Sequence, residues 1–554
     1  MKLGLIMLLT LGLGVSPLLA RAAGETGKEE TPSAAKTASA TTETSNAIAK
    51  PESPAIDREV QDLRGLVEEL RSELESQQRK VAVLEEKLGV PTSEPNPAPA
   101  YEYAAALATP AAKSSQEGNE EISPLQFKIG SAYITPVGFM DFTGVYRSHD
   151  EGTGIGTNFA GIKYGNSFNT HLTELAESMQ NSRIGFRVDA MVKGAHVIGY
   201  MESDFLGNNP LNVAVSSNSN TLRSRLYWVD IQKSKWEILA GQTWSLITPG
   251  RSGISPIPSN IFYTANIDVN YQAGLVWGRI PELRLILRPT EKFAVAVALD
   301  NPDQYTGGSA GGATITYPSN LSALANSQLN AGSNLLATPN VAPDVIVKAA
   351  YDPSSKYHFE VGGLVREFKV WNSLPFPSGT SFSKSGAGGF VNANVELLKG
   401  FRVMTSNFWA DGGGRYIFGQ VPDLIVRADN TISPIKAAST VSGFEYTHRS
   451  SFLYAYYGGI YVYKNLALDS NRLSIIGYGV PGSSVQNRLV QEGTVGFNQT
   501  IWKDAKFGAL NFTGQFSYVN RKLWATLDPS DAHVNMGFLN LRYTLPGSAP
   551  TMGK

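Results

Sequence analysis

The amino-acid sequence predicts an all-β membrane protein, a sixteen-stranded antiparallel transmembrane β-barrel preceded by a short α-helical coiled coil. Three observations carry this reading. From Phe127 to about Pro546 apolar and polar residues alternate with period two, the mark of strands whose two faces meet different surroundings. The connections between these runs are either very short or long, and the two kinds alternate strictly. At the start of the chain Lys2 precedes an uncharged run from Leu3 to Ala20, and Ala20-Arg21-Ala22 offers small residues at cleavage-type positions. That is the layout of a secretory signal peptide, expected over residues 1–22.

Composition narrows the class. Beyond the leader no run approaches the roughly 18 apolar residues that a spanning helix needs. The chain has no cysteine, which excludes disulfides, thiolate metal sites, a Cys nucleophile and a cysteine-borne lipid anchor. A formal charge of −1 gives no nucleic-acid signature. Charged residues make up 17%, below the quarter usual for globular proteins, whereas Gly (54) and aromatics (10%) are plentiful. A secreted, Gly- and Tyr-rich, charge-poor chain belongs with outer-membrane barrels.

Taken in order, residues 23–55 are Ala-, Thr-, Ser-, Glu- and Lys-rich and read as a disordered linker. Residues 56–89 carry apolar side chains at Ile56, Val60, Leu63, Val67, Leu70, Leu74, Val81, Leu84 and Leu88, with Gln77 the one polar member of the series. The spacing alternates four and three, a heptad register, so a periplasmic coiled coil is expected, as a dimer or a trimer. Residues 90–126 are a Pro- and Ala-rich second linker. The barrel follows over 127–546, and 547–554 form a short C-terminal tail.

Within the barrel, strands are expected at about 134–147, 182–193, 195–206, 221–233, 236–247, 280–289, 292–300, 344–352, 356–371, 386–398, 400–410, 437–448, 451–464, 488–502, 506–520 and 533–545. Seven short turns, such as "VKGAH" (192–196) and "HRSS" (448–451), alternate with eight long polar loops, among them 148–180, 248–279 and 301–343. Short turns at one end and long loops at the other are the transmembrane-barrel pattern.

The alternation assigns faces. In "SRIGFRVDAMV" (182–192), Arg183, Arg187 and Asp189 oppose Ile184, Phe186, Val188, Ala190 and Val192. Met140 and Phe142 oppose Asp141 and Thr143; Val197, Met201 and Phe205 oppose Glu202 and Asp204. Leu226 and Trp228 are expected on the lipid face opposite Arg223 and Arg225, and Phe512, Phe516 and Tyr518 opposite Asn511, Thr513, Gln515 and Ser517. The aromatics of "FLYAYYGGIYVYK" (452–464) fit the rings that gather at the membrane interfaces. Sixteen strands enclose an aqueous channel, so the charged face looks into water inside a pore.

The pore-lining candidates are therefore Arg183, Arg187, Asp189, Glu202, Asp204, Arg223 and Arg225. The third long loop adds Arg251 and Arg279; folded inward, it would give a constriction a basic wall, and rings of Arg favour anions. Any single Arg could instead pair with a lumen acid and hold the wall, but four concentrated on two nearby strands favour the pore role. A sugar channel would want an aromatic slide, whereas the lumen positions assigned here are charged or small. "GGSAG" (307–311) lacks the strand and helix of a nucleophile elbow, and "GTGIG" (152–156) lacks a surrounding βα unit. His149, His171, His196, His358, His448 and His533 are scattered without metal spacing. No catalytic residue, metal site or cofactor is expected, and the chain does not read as an enzyme.

"VGFMDFTGVY", "NSRIGFRVDA", "YMESDFLGN", "LRSRLYWVDI" and "ILAGQTWSLITP" resemble the DcaP-like outer-membrane porins, to which a coiled coil between leader and barrel is also similar. The resemblance covers residues 56–88 and about 134–300 best. It implies a homotrimer of sixteen-stranded barrels in outer-membrane lipid with the helices zipped together in the periplasm. It also implies passive uptake of small anionic solutes such as dicarboxylates, with Arg183, Arg187, Arg223 and Arg225 lining the pore. The alternative is a structural barrel that tethers the membrane to the periplasm or cell wall through its coiled coil.

Overall fold

The computed structural model describes residues 124–547 except 208–219, 309–313, 332–341, 373–377, 419 and 526–531. The expected signal peptide, the first linker and the coiled coil with its core from Val60 to Leu88 lie outside the described residues.

Sixteen wall positions run in chain order. The first is Ala132–Arg147; the second is built from two collinear segments, Glu174–Ser178 and Arg183–Val192, which pair with the upper and lower halves of the first. Next come Ala195–Asp204, Arg223–Lys233, Trp236–Trp244, Arg279–Thr290, Phe293–Asp300, Asp344–Ser354 and Tyr357–Asn372. Thr380–Leu398, Phe401–Asp411, Lys436–His448, Ser451–Val462, Asn487–Asp504, Gly508–Leu523 and Ala532–Thr544 complete the wall. Each pairs antiparallel with the next, and the last pairs with the first from Phe139↔Thr544 to Arg147↔Met536. Closure leaves no sheet edge, so the strands' backbone N–H and C=O groups are satisfied without water. The short turns fit the strands' twist: at Lys193-Gly194 both residues have positive φ (49° and 76°), as a two-residue type I′ turn requires.

The outer face is apolar and exposed along the wall, as at Met140, Ile184, Leu283, Val361 and Leu539, while Asp141, Asp189, Asp204, Asp230 and Glu445 are turned in. One assignment is overturned. Glu202 pairs with Leu226 but Ser203 pairs with Ser224, so Arg225 is an extra residue, a β-bulge. Because side chains alternate with period two, the bulge flips every residue below it. Leu226 and Trp228 are buried inside, and Tyr227, Val229 and Ile231 face out. A second difference lies in the Ser451–Val462 strand. Phe452, Tyr454 and Tyr456 point into the barrel as a ladder with ring centroids 5.8 and 5.5 Å apart, and only Leu453 and Tyr457 of this stretch are well exposed outside. The interior is thus partly aromatic, not only charged or small.

Candidate functional site

The segment between Trp236–Trp244 and Arg279–Thr290 folds into the barrel and crosses it. At its root Lys348 Nζ donates to the Thr248 carbonyl (2.7 Å) and to Glu360 Oε1 (3.1 Å), which also accepts from the Gly250 N–H (3.1 Å). Midway, Arg251 forms a two-pronged bond with Glu445 of the Lys436–His448 strand (2.9 and 3.0 Å). On the far side the Ile267 N–H donates to Gln515 (2.8 Å) and the Ala273 N–H to Glu492 (2.7 Å). Gly274 takes φ +87° beside the backbone of Thr440 and Gly459, and a Cβ at Gly458 would collide with the Ala273 carbonyl. Glycine is needed at these two positions because backbone meets backbone.

Beside this crossing lies the arginine-rich zone. Arg183 contacts Glu202 (3.5 Å); Arg225 bridges Glu202 (2.8 Å) and Asp204 (2.7 Å); Arg223 also holds Asp204 (2.7 Å). Arg279 stacks over Trp244 and Trp277 (5.5 and 5.2 Å) and makes no ion pair among the described residues. Four guanidiniums against two carboxylates leave an excess of two positive charges. The Arg223 side chain is 40% exposed and that of Arg225 only 2%, so Arg223 is the one that meets water. Cations held against ring faces in a low-dielectric wall attract anions more strongly than they would in bulk water.

Tyr271, on the inward loop, ties the zone together. Its hydroxyl accepts from Arg183 Nη2 (3.3 Å) and Arg225 Nη2 (3.2 Å), and its backbone sits at φ 65°, a left-handed value unusual for a bulky residue. Burial pushes the phenol's pKa up, but Arg183, Arg225 and Arg279 outweigh it and bring it down to about 8.

The sequence-derived residues therefore separate. Arg183, Glu202, Asp204, Arg223, Arg225 and Arg279 come together. Arg187 and Asp189 pair with each other (2.8 Å), and Asp189 also meets His196 (2.9 Å), nearer the short-turn end. Arg251 is 1% exposed and engaged with Glu445, so it braces the loop where a basic constriction wall was expected. Sequence reasoning missed Tyr271, Trp244, Trp277 and the Glu445 partner, since a loop's path and a pairing 194 residues apart leave no periodic trace.

On the short-turn side of the loop lies a cavity of about 210 Å³, lined by Arg183, Glu202, Asp268 and Arg542 with aromatic and Asn side chains around them. Arg542 is paired with Asp141 (2.7 Å).

No protein-family model and no curated protein matches the chain. Among solved structures it is similar to the outer membrane channel DcaP of Acinetobacter baumannii, with 16% identity and a TM-score of 0.54 over 76% of this chain and 99% of that one. Weaker overlays are with the anion-selective porin from Comamonas acidovorans (9% identity, TM-score 0.42, 74% and 99% covered) and OmpT, an outer membrane protein of Vibrio cholerae (10%, 0.40, 76% and 99%). The likeness to DcaP is one of fold: the chain has the closed sixteen-stranded barrel of an outer-membrane channel.

Proposed function

We propose that the protein is an outer-membrane porin, a water-filled channel for passive diffusion of small solutes with a preference for anions. The observation that carries the reading is the inward loop set against four arginines and two carboxylates at mid-barrel. Field lines from the excess charge are focused beside the inward loop, and Arg223, with 40% of its side chain exposed, and Arg279, which makes no ion pair among the described residues, are the guanidiniums placed to take a carboxylate. The apolar outer band suits outer-membrane lipid. The heptads of residues 56–89 favour assembly, here read as a homotrimer with its helices in the periplasm. Small dicarboxylates are the solute class that Arg223 and Arg279 favour.

Osmotic swelling of proteoliposomes tests this. Purified protein should admit small organic anions faster than cations of the same size. Vesicles that swell no faster than protein-free ones would refute a channel and favour the tether.

A further inference from the structure

The cavity beneath the loop differs in chemistry from the arginine zone. Its lining charges balance: Arg183 and Arg542 against Glu202 and Asp268. Its walls present the rings of Phe139, Tyr200, Tyr263, Tyr271, Phe452 and Tyr454. Arg183 and Arg542 both stack on Phe139, at 5.0 and 4.2 Å, which fixes their guanidiniums. Between the rings stand amides with unused capacity. Asn181 makes no side-chain hydrogen bond among the described residues, and Asn511 accepts from Thr500 (2.9 Å) without donating. The Nε of Arg183 is buried and unpartnered.

Each solute class would use only part of this lining except one. A bare inorganic anion gains nothing from the rings and finds no net positive charge. An aromatic acid would stack but leave the amides unpaired, which costs free energy in a desolvated site. A polyhydroxylated ring offers C–H faces to the aromatics and hydroxyls that both donate and accept, which amides and paired Arg–carboxylate groups require. We infer that this cavity is a subsite for a monosaccharide-type ring, neutral or as its uronate. The inference rests on the channel reading and names its solute class.

The test is block of ion current through the full-length protein in a planar bilayer. D-glucose and D-galacturonate should each interrupt the current; block by galacturonate alone means that the ring is taken as its acid if Tyr454→Ala weakens it, and overturns the inference in favour of capture by the arginine zone if that variant leaves it unchanged. Tyr454→Ala should weaken the block at least tenfold. Because the Tyr454 hydroxyl also donates to Gln515 (2.9 Å), Asn181→Ala serves as a second variant, expected to act in the same direction. A pore that conducts but ignores both sugars, or that is blocked equally by the neutral open-chain polyol D-mannitol, overturns the inference and leaves the channel standing. Absence of any current overturns both.

Discussion

Replacing Arg251 with Met distinguishes a brace from a pore-lining residue. In the folded protein Glu445 is fully buried and receives two bonds from Arg251 and one from the Tyr456 hydroxyl (2.6 Å). Arg251→Met keeps the apolar stem of the side chain but leaves a carboxylate inside the wall with only the Tyr456 phenol to donate to it. Removing one partner of a buried pair costs about 3–5 kcal/mol, and the remaining Tyr456 bond places this case near the lower end, about 3 kcal/mol. That is on the order of a hundredfold in the folding equilibrium. The double variant Arg251→Met/Glu445→Leu removes both charges and should return to within about 1 kcal/mol of the parent. Urea unfolding in detergent, followed by tryptophan fluorescence, reads both values. Bilayer recordings of the single variant should also be noisier, since the loop loses its midway anchor, with ion selectivity little changed. A single variant as stable as the parent but altered in selectivity would refute the brace and restore Arg251 to the pore wall.

The Tyr271 phenol, lowered to about 8, is neutral below that pH and becomes a phenolate above it. Its attraction to the arginines therefore stabilises the folded loop on the alkaline side and is lost as pH falls through about 8. The same phenolate cuts the zone's positive excess from two to one, so anion preference should fall between pH 7 and 9. Selectivity of Tyr271→Phe should stay flat over that range, and an equal fall in the variant would remove Tyr271 from the account. At Gly458 a Val side chain would strike the Ala273 carbonyl, so Gly458→Val should displace the loop tip. The expected cost is about 1–3 kcal/mol with a larger single-channel conductance, measured by unfolding and bilayer recording. The bulge at Arg225 makes a prediction of its own: Val229 faces lipid, so Val229→Arg should destabilise the barrel by about 2–4 kcal/mol in urea titrations, whereas a value near zero would return this strand to uninterrupted alternation.

Most of the wall was legible because period-two alternation and turn chemistry are local. Strand ends such as Ala195, Trp236 and Ser451 fall where short turns place them. Inward folding of the third long loop entered only as the condition for a basic constriction wall, and its course was not legible. What decides that course is distant: Glu445, Gln515 and Glu492 capture it from strands far along the chain. The bulge was illegible for a different reason. "LRSRLYWVD" keeps a plausible alternation in either register, and only pairing with the Ala195–Asp204 strand reveals the extra residue. That one shift moved Trp228 from lipid to lumen, where it stacks on Tyr200 at 5.3 Å. Together with the inward ladder from Phe452 to Tyr456, it gave the interior the aromatic surface that alternation alone had denied it.

Reversal potential across a planar bilayer under a KCl gradient tests the central claim most directly. The four arginines set against Glu202 and Asp204 predict a sign that marks chloride as the preferred ion. Arg223→Gln and Arg279→Gln, which remove the exposed guanidinium and the one without an ion pair among the described residues while leaving Arg183 and Arg225 on Glu202 and Asp204, should together abolish that preference. Cation preference in the parent, or chloride preference unchanged in the double variant, would contradict the assignment of this zone as the selectivity-determining part of the pore.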